Sequence, residues 1–252
     1  ISSEDKSHRQ LAAELRNMQA HGVTNPLCNQ GYGDALLEEY LGLREEVGMG
    51  GQPLYLLNWC PGTVDASADP EAVKRVLTLA HSHGIPEVYF YGIDEATGEK
   101  LTSQRPQWEA TRGAGGKVFV AGNARNFELG MGDIQDLLIC WGPPLQNEAA
   151  QWHGLGHSVW CYFNPQGGIE NPETYRRNFG LLLWKANYDG AATFSYQAAA
   201  GNPWNDFDDP QQRDFMFTYP TVDSVIDTIA WEGYREGIDD IRYATTLALR
   251  IE

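Results

Sequence analysis

Basic residues are scarce in this chain of 252 residues. Lys and Arg number 18 against 34 Asp and Glu, a formal net charge of -16. A nucleic acid or an anionic membrane needs a Lys/Arg footprint, so neither is expected as a partner. An acidic surface suits neutral or cationic substrates. Cysteine is also sparse. Cys28, Cys60, Cys140 and Cys161 form no C-x-x-C pair, so no zinc ribbon or thioredoxin site is expected. They read as small buried thiols. No apolar run approaches the ~20 residues of a membrane span. The polar start, Ile1-Ser-Ser-Glu-Asp-Lys6, carries no signal peptide and no initiating Met, as expected of a processed chain or a piece of a longer protein. No linker, low-complexity stretch or internal repeat divides the sequence, so 1–252 is expected to be a single domain. Disorder is excluded by 8 Trp, 12 Tyr and 9 Phe, which supply apolar surface to bury.

Strand-like and helix-like patterns alternate. Leu11, Leu15 and Met18 recur at helical spacing before Gly22. A strand is expected over Val23–Cys28, and a helix with Leu36, Tyr40, Leu43 and Val47 on one face. Pro53–Trp59 reads as a buried strand. Asp69-Pro70-Glu71 is a helix start, with Val73, Val76, Leu77 and Ala80 as the buried face and Gly84 as the stop. Further strands are expected over Glu87–Asp94, Lys117–Ala121, Leu137–Trp141, Ser158–Phe163, Ala191–Tyr196 and Phe215–Tyr219. Pro172–Ala186 reads as helix, and Val225–Arg250 as one or two helices broken near Gly233 or Gly237. Strands alternating with helices at spacings of about 20–35 residues predict an α/β fold, a TIM-like (β/α)8 barrel. Either the eight strand candidates are its β1 to β8, or its first strand is missing or distorted and one candidate is spurious.

Barrel chemistry sits where strands end. Those ends present Asn25, Asn58-Trp59, Asp94-Glu95, Asn123, Trp141, Tyr162, Asn164 and Tyr196-Gln197. Aromatic planes take the C–H faces of sugars, and amides and carboxylates take their hydroxyls. Core packing is the competing reading for each aromatic taken singly. Tyr91-Gly92-Ile93-Asp94-Glu95 is the sharpest feature. Adjacent acids at a strand terminus repel one another and lose water, and a catalytic pair uses that coupling to divide acid and base roles. The competing reading is a solvated loop start.

Other motifs carry less. His81-Ser-His83 resembles an H-x-H metal pair but ends a helix, on the wrong face of a barrel. His153 and His157 flank a turn. Gly31-Tyr-Gly33 lacks the third glycine of a dinucleotide loop. Asp206, Asp208 and Asp209 read as an acidic surface loop rather than a calcium site. No G-x-S-x-G marks a serine nucleophile.

The stretch Val88-Tyr-Phe-Tyr-Gly-Ile-Asp94-Glu95 resembles the catalytic strand of glycoside hydrolase family 123. Tyr219-Pro220 and the run Trp231 to Tyr243 resemble that family's closing helix. Gly180 to Trp184, Tyr188-Asp189-Gly190 and Asn202-Pro203-Trp204 add to the likeness, which spreads from about Pro70 to the C-terminus. The resemblance implies a (β/α) barrel, commonly preceded by a β-sandwich, and retaining removal of β-linked N-acetylgalactosamine. It implies catalytic acids after the fourth strand, which Asp94 and Glu95 would follow if a first strand lay upstream. It also implies substrate-assisted catalysis: Asp94 orients the 2-acetamido group, and Glu95 is general acid and then general base. The substrate would be held by Asn58, Trp59, Tyr91, Asn123, Trp141, Tyr162, Asn164, Tyr196 and Trp204. No metal or cofactor is required, the partner is a carbohydrate, and the family setting is secreted or periplasmic. Two other readings stand beside it: a glycosidase for other sugars with a separate nucleophile, and a non-catalytic carbohydrate-binding barrel.

Overall fold

The computed structural model describes residues 6–29, 35–57, 69–124, 126–162, 165–168 and 170–251. The chain has the expected α/β fold of TIM-like type. One sheet holds seven strands in sequential order: β1 (Leu27–Cys28), β2 (Leu54–Leu56), β3 (Val88–Tyr91), β4 (Lys117–Gly122), β5 (Leu137–Trp141), β6 (Ser158–Tyr162) and β7 (Gly190–Ala191). The pairings β1–β2, β2–β3, β3–β4 and β6–β7 are parallel. The strands alternate with helices α1 (His8–Ala20), α2 (Ala35–Glu46), α3 (Pro70–Ser82), α4 (Gly98–Thr102), α5 (Arg105–Gly113), α6 (Gln146–His153), α7 (Pro172–Asn178) and α8 (Leu181–Ala186).

The chain divides into two compact units. The first is Ile1–Gln19 with Val23–Leu138, and the second is Ala20–Gly22 with Ile139–Glu252. In the first unit, β2 and β3 are buried at every residue, the pattern of a parallel sheet covered on both faces. Tyr55 stacks on Tyr89 at 4.6 Å, and Phe119 meets both rings edge-on. The helix start at 69–71 forms as read: Asp69 Oδ1 accepts from the Glu71 amide at 3.0 Å and Pro70 is the first helical residue. Val73, Val76, Leu77 and Ala80 are buried, and Gly84 follows at φ 70°. In α2 the buried face is Leu37, Tyr40, Leu41 and Leu43, with Leu36 half-buried.

Four expectations are corrected in the second unit. Phe215–Tyr219 does not join the parallel sheet. Its residues form β9 (Phe215–Met216), antiparallel to β8 (Gln197–Ala198), and part of β10 (Thr218–Pro220), antiparallel to β11 (Val225–Asp227). Among the described residues the sheet therefore has seven strands. Ala191–Tyr196 is not one strand either, since β7 ends at Ala191. Gly233 and Gly237 do not break the last helix: α9 runs unbroken from Ile229 to Ile251. Both glycines are buried where α9 crosses α7, and a Cβ on Gly233 would lie 2.3 Å from the Pro172 carbonyl oxygen. Close backbone approach, not helix termination, is what these glycines serve. The helix expected over 172–186 does break, between α7 and α8 at Gly180.

Candidate functional site

Asp94 and Glu95 lie in a turn just past β3, within the first unit. The turn continues the strand's pairing, with the Gly92 amide donating to Phe119 O at 2.9 Å and the Glu95 amide to Ala121 O at 3.1 Å. Gly92 is required by sterics. A Cβ there would stand 2.8 Å from Trp108 Cζ2 and 3.2 Å from Gln104 Oε1. Gln104 is buried and braces the same turn, its Oε1 accepting from the Ile93 amide at 2.7 Å. Its amide nitrogen donates to Lys100 O at 3.1 Å.

Tyr91 is only 3% exposed and sits edge-on to Phe119. Its hydroxyl donates to Asp94 Oδ1 at 2.6 Å and accepts from the Ala121 amide at 3.1 Å. Asp94 is thus held by one oxygen, and among the described residues nothing bonds its Oδ2. Glu95 has φ 47°, the left-handed region, where a non-glycine residue is strained by about 1–3 kcal/mol. Its amide is pinned to β4 while its carboxylate faces water. Both acids are exposed, which corrects the expectation that they lose their water. Asn123 follows β4, two residues beyond the Ala121 carbonyl that holds Glu95, and is half-buried. Asn58 and Trp59 lie outside the described residues.

The other candidates belong to the second unit. Trp141 ends β5 and is 60% exposed. Tyr162 ends the adjacent β6, half-buried, its hydroxyl accepting from Gln166 Nε2 at 3.3 Å. Tyr196 and Trp204 fall in different ring clusters. Tyr196 meets Trp231 edge-on at 5.7 Å, whereas the exposed Trp204 stacks on Tyr219 at 5.5 Å. Asn164 lies outside the described residues.

The remaining motifs are taken up structurally. His83 Nδ1 lies 2.9 Å from Glu45, and His153 Nε2 lies 3.0 Å from Asp189. Asp206 is buried rather than part of an acidic surface loop, because it pairs with Arg213 at 2.8 Å and accepts from the Tyr219 hydroxyl. Asp208 accepts the Asn202 amide and Asp209 the Gln211 amide. Cys28, Cys140 and Cys161 are buried as expected, and Cys60 lies outside the described residues. Burial, then the neighbouring Glu148, pushes the Cys140 thiol up to about 12, which leaves it protonated and inert at neutral pH. Among the described residues no helix is long and apolar enough to cross a membrane.

Sequence reasoning misses Gln104 and the bracing role of Tyr91. Gln104 reaches the turn from the N-cap of α5, beyond the intervening α4, and an isolated glutamine gives no signal of that. The tyrosine three residues before the acid is visible in the sequence, but its partner is not.

No family profile matches the sequence, and no curated protein is significantly similar to it. Among solved structures the chain is similar to a xylose isomerase-like TIM barrel protein from Mycobacterium smegmatis, crystallised in complex with magnesium. The identity is 12% and the TM-score 0.47, over 96% of this chain and 90% of that one.

Proposed function

We propose that this chain is a retaining glycoside hydrolase that removes a β-linked N-acetylhexosamine, of the N-acetylgalactosamine type, by substrate-assisted catalysis. The observation that carries the reading is the hydrogen bond from Tyr91 to Asp94. It fixes one carboxylate oxygen of an exposed acid at a strand end, beside a second acid in a strained backbone conformation. In the reaction, the acetamido carbonyl oxygen attacks the anomeric carbon while Glu95 protonates the departing glycosidic oxygen. Asp94 Oδ2 takes the acetamido N–H and balances the positive charge that develops there. Water then opens the oxazoline-type intermediate, with Glu95 as the base. Such enzymes are exceptions to the rule of two well-separated carboxylates, and adjacent acids suit them because the nucleophile belongs to the sugar. The resemblance of residues 88–95 and 219–243 to family 123 supports the same reading.

A panel of nitrophenyl glycosides, run with and without a thiazoline analogue, tests it. Hydrolysis of the N-acetylhexosaminides with thiazoline inhibition is expected. Hydrolysis that thiazoline leaves untouched would replace the reading with a separate protein nucleophile, and no turnover of any sugar would end it.

Tyr91→Phe should lower kcat/KM by roughly 10- to 100-fold, because Asp94 loses its anchor. The Ala121 amide would lose its partner as well, at about 1–3 kcal/mol of stability. A tyrosine that serves packing alone would lower the melting midpoint while leaving kcat per folded molecule unchanged.

Trp141 is the leading platform for a sugar face, because it ends β5 largely exposed. Trp141→Ala should raise KM about two- to tenfold, the worth of one ring contact, with kcat and fold retained. Normal binding, or simple unfolding, would return the residue to packing.

A further inference from the structure

His21, Asp227 and Glu232 come together in the second unit from three separate stretches of chain. His21 is in the turn after α1, Asp227 ends β11, and Glu232 lies in the first turn of α9. The imidazole is 6% exposed and lies flat on Trp231, with centroids 4.7 Å apart and planes 18° apart. Its Nε2 is 3.7 Å from Asp227 Oδ2 and 3.6 Å from Glu232 Oε1. Both separations are longer than a hydrogen bond. Three ligand atoms, one on each residue, lie within 4.8 Å of one another.

We propose that His21, Asp227 and Glu232 form a binding site for a divalent transition ion of the zinc type. Tetrahedral ligands about 2.1 Å from zinc stand about 3.4 Å apart, so the two spacings at Nε2 need to close by only a few tenths of an ångström. One imidazole nitrogen and two carboxylate oxygens are a borderline donor set that zinc accepts, and their two negative charges match the ion's charge. Stacking on Trp231 holds the plane of the imidazole. Arg235 donates to Glu232 Oε2 at 2.9 Å, which leaves Oε1 on the side of the histidine, 3.6 Å from Nε2. Arg235 does not displace the ion, because its guanidinium is shared with Glu236 and Asp239. Water completes the coordination, since Asp227 and Glu232 are partly exposed. The ion ties residues 20–22 to the start of α9 and stabilises the second unit.

The full chain, stripped with chelator, would be titrated with zinc chloride in a calorimeter and melted with and without zinc. One zinc per chain is expected, with the melting midpoint raised by roughly 5–10 °C at a hundredfold excess over Kd. Cobalt should give the intense visible band of a tetrahedral site. Asp227→Asn and Glu232→Gln, on partly exposed side chains, should each weaken zinc binding at least about tenfold and leave the metal-free midpoint close to that of the parent. His21→Gln should abolish binding, and if it unfolds, the two carboxylate variants decide. No saturable one-to-one binding, or parental affinity in both carboxylate variants, overturns the proposal. Glu95→Gln should bind zinc as the parent does, so failure of the hydrolase reading leaves this result untouched.

Discussion

Glu95→Gln should nearly abolish cleavage of a natural disaccharide while sparing much of the first step on an aryl glycoside. The reason lies in the leaving group. A nitrophenolate departs without a proton, whereas a sugar alkoxide does not, and general-acid assistance is typically worth about 10²- to 10⁴-fold. Asp94→Asn should damage both substrates. The acetamido nucleophile must be positioned and its charge balanced whatever leaves, and Tyr91 holds Asp94 in place for that. Steady-state rates on matched aryl and disaccharide substrates decide it. Equal losses for both variants on both substrates would remove the division of roles, and normal activity in either variant would remove that residue. Stability offers an independent check. Glu95 has φ 47°, so Glu95→Gly relieves about 1–3 kcal/mol of backbone strain while adding unfolded-state entropy worth about 0.5–1 kcal/mol, and stability should be kept or raised. A variant that is at least as stable as the parent but inactive is what a strained catalytic residue gives.

How far the sequence discloses this molecule depends on how local the cause is. The start of α3 is legible to the residue, because the cap, the proline and the period of 3.6 are all short-range. The acid pair is legible as charge at the end of an aromatic strand. The neighbours that shape it come from farther away. Gln104 and Trp108 bear on Gly92 from α5 and its approach, and Ala121 reaches Glu95 from β4. The region after β7 misleads because short segments rich in aromatic residues look alike whether they pair in parallel or antiparallel fashion. The cluster of His21, Asp227 and Glu232 spans nearly the whole chain, with no spacing a motif could express.

The glycines of α9 show the same limit with a measurable consequence. In a helix interior with room for a side chain, Gly→Ala should stabilise by about 0.8–1 kcal/mol. Gly42 in α2 meets that condition, with nothing within 4 Å of an added methyl carbon, so Gly42→Ala should raise the melting midpoint by roughly 2–4 °C. Gly233→Ala should do the reverse. The added carbon would lie 2.3 Å from Pro172 O and 2.5 Å from Pro172 Cα. Both are backbone atoms at the start of α7, where Asn171 caps the helix by accepting from the Thr174 amide. The clash can be relieved only by moving α7 off α9, and neighbouring contacts resist that. A Cβ on Gly237 would meet Arg176 backbone atoms at 2.8 and 3.2 Å, and Phe179 packs on Tyr234 at 5.1 Å. Overpacking of this kind costs about 1–3 kcal/mol or more, and with the packing of Phe179 and Tyr234 disturbed the upper end is expected. The midpoint should fall by roughly 6–12 °C. The bidentate pair of Arg176 with Asp240 will not rescue it, being an exposed ion pair of small net worth. Thermal melts of the two alanine variants side by side check the sign as well as the size. A Gly233→Ala variant as stable as the parent would mean that α7 and α9 are not in backbone contact, and the glycines would then need another explanation.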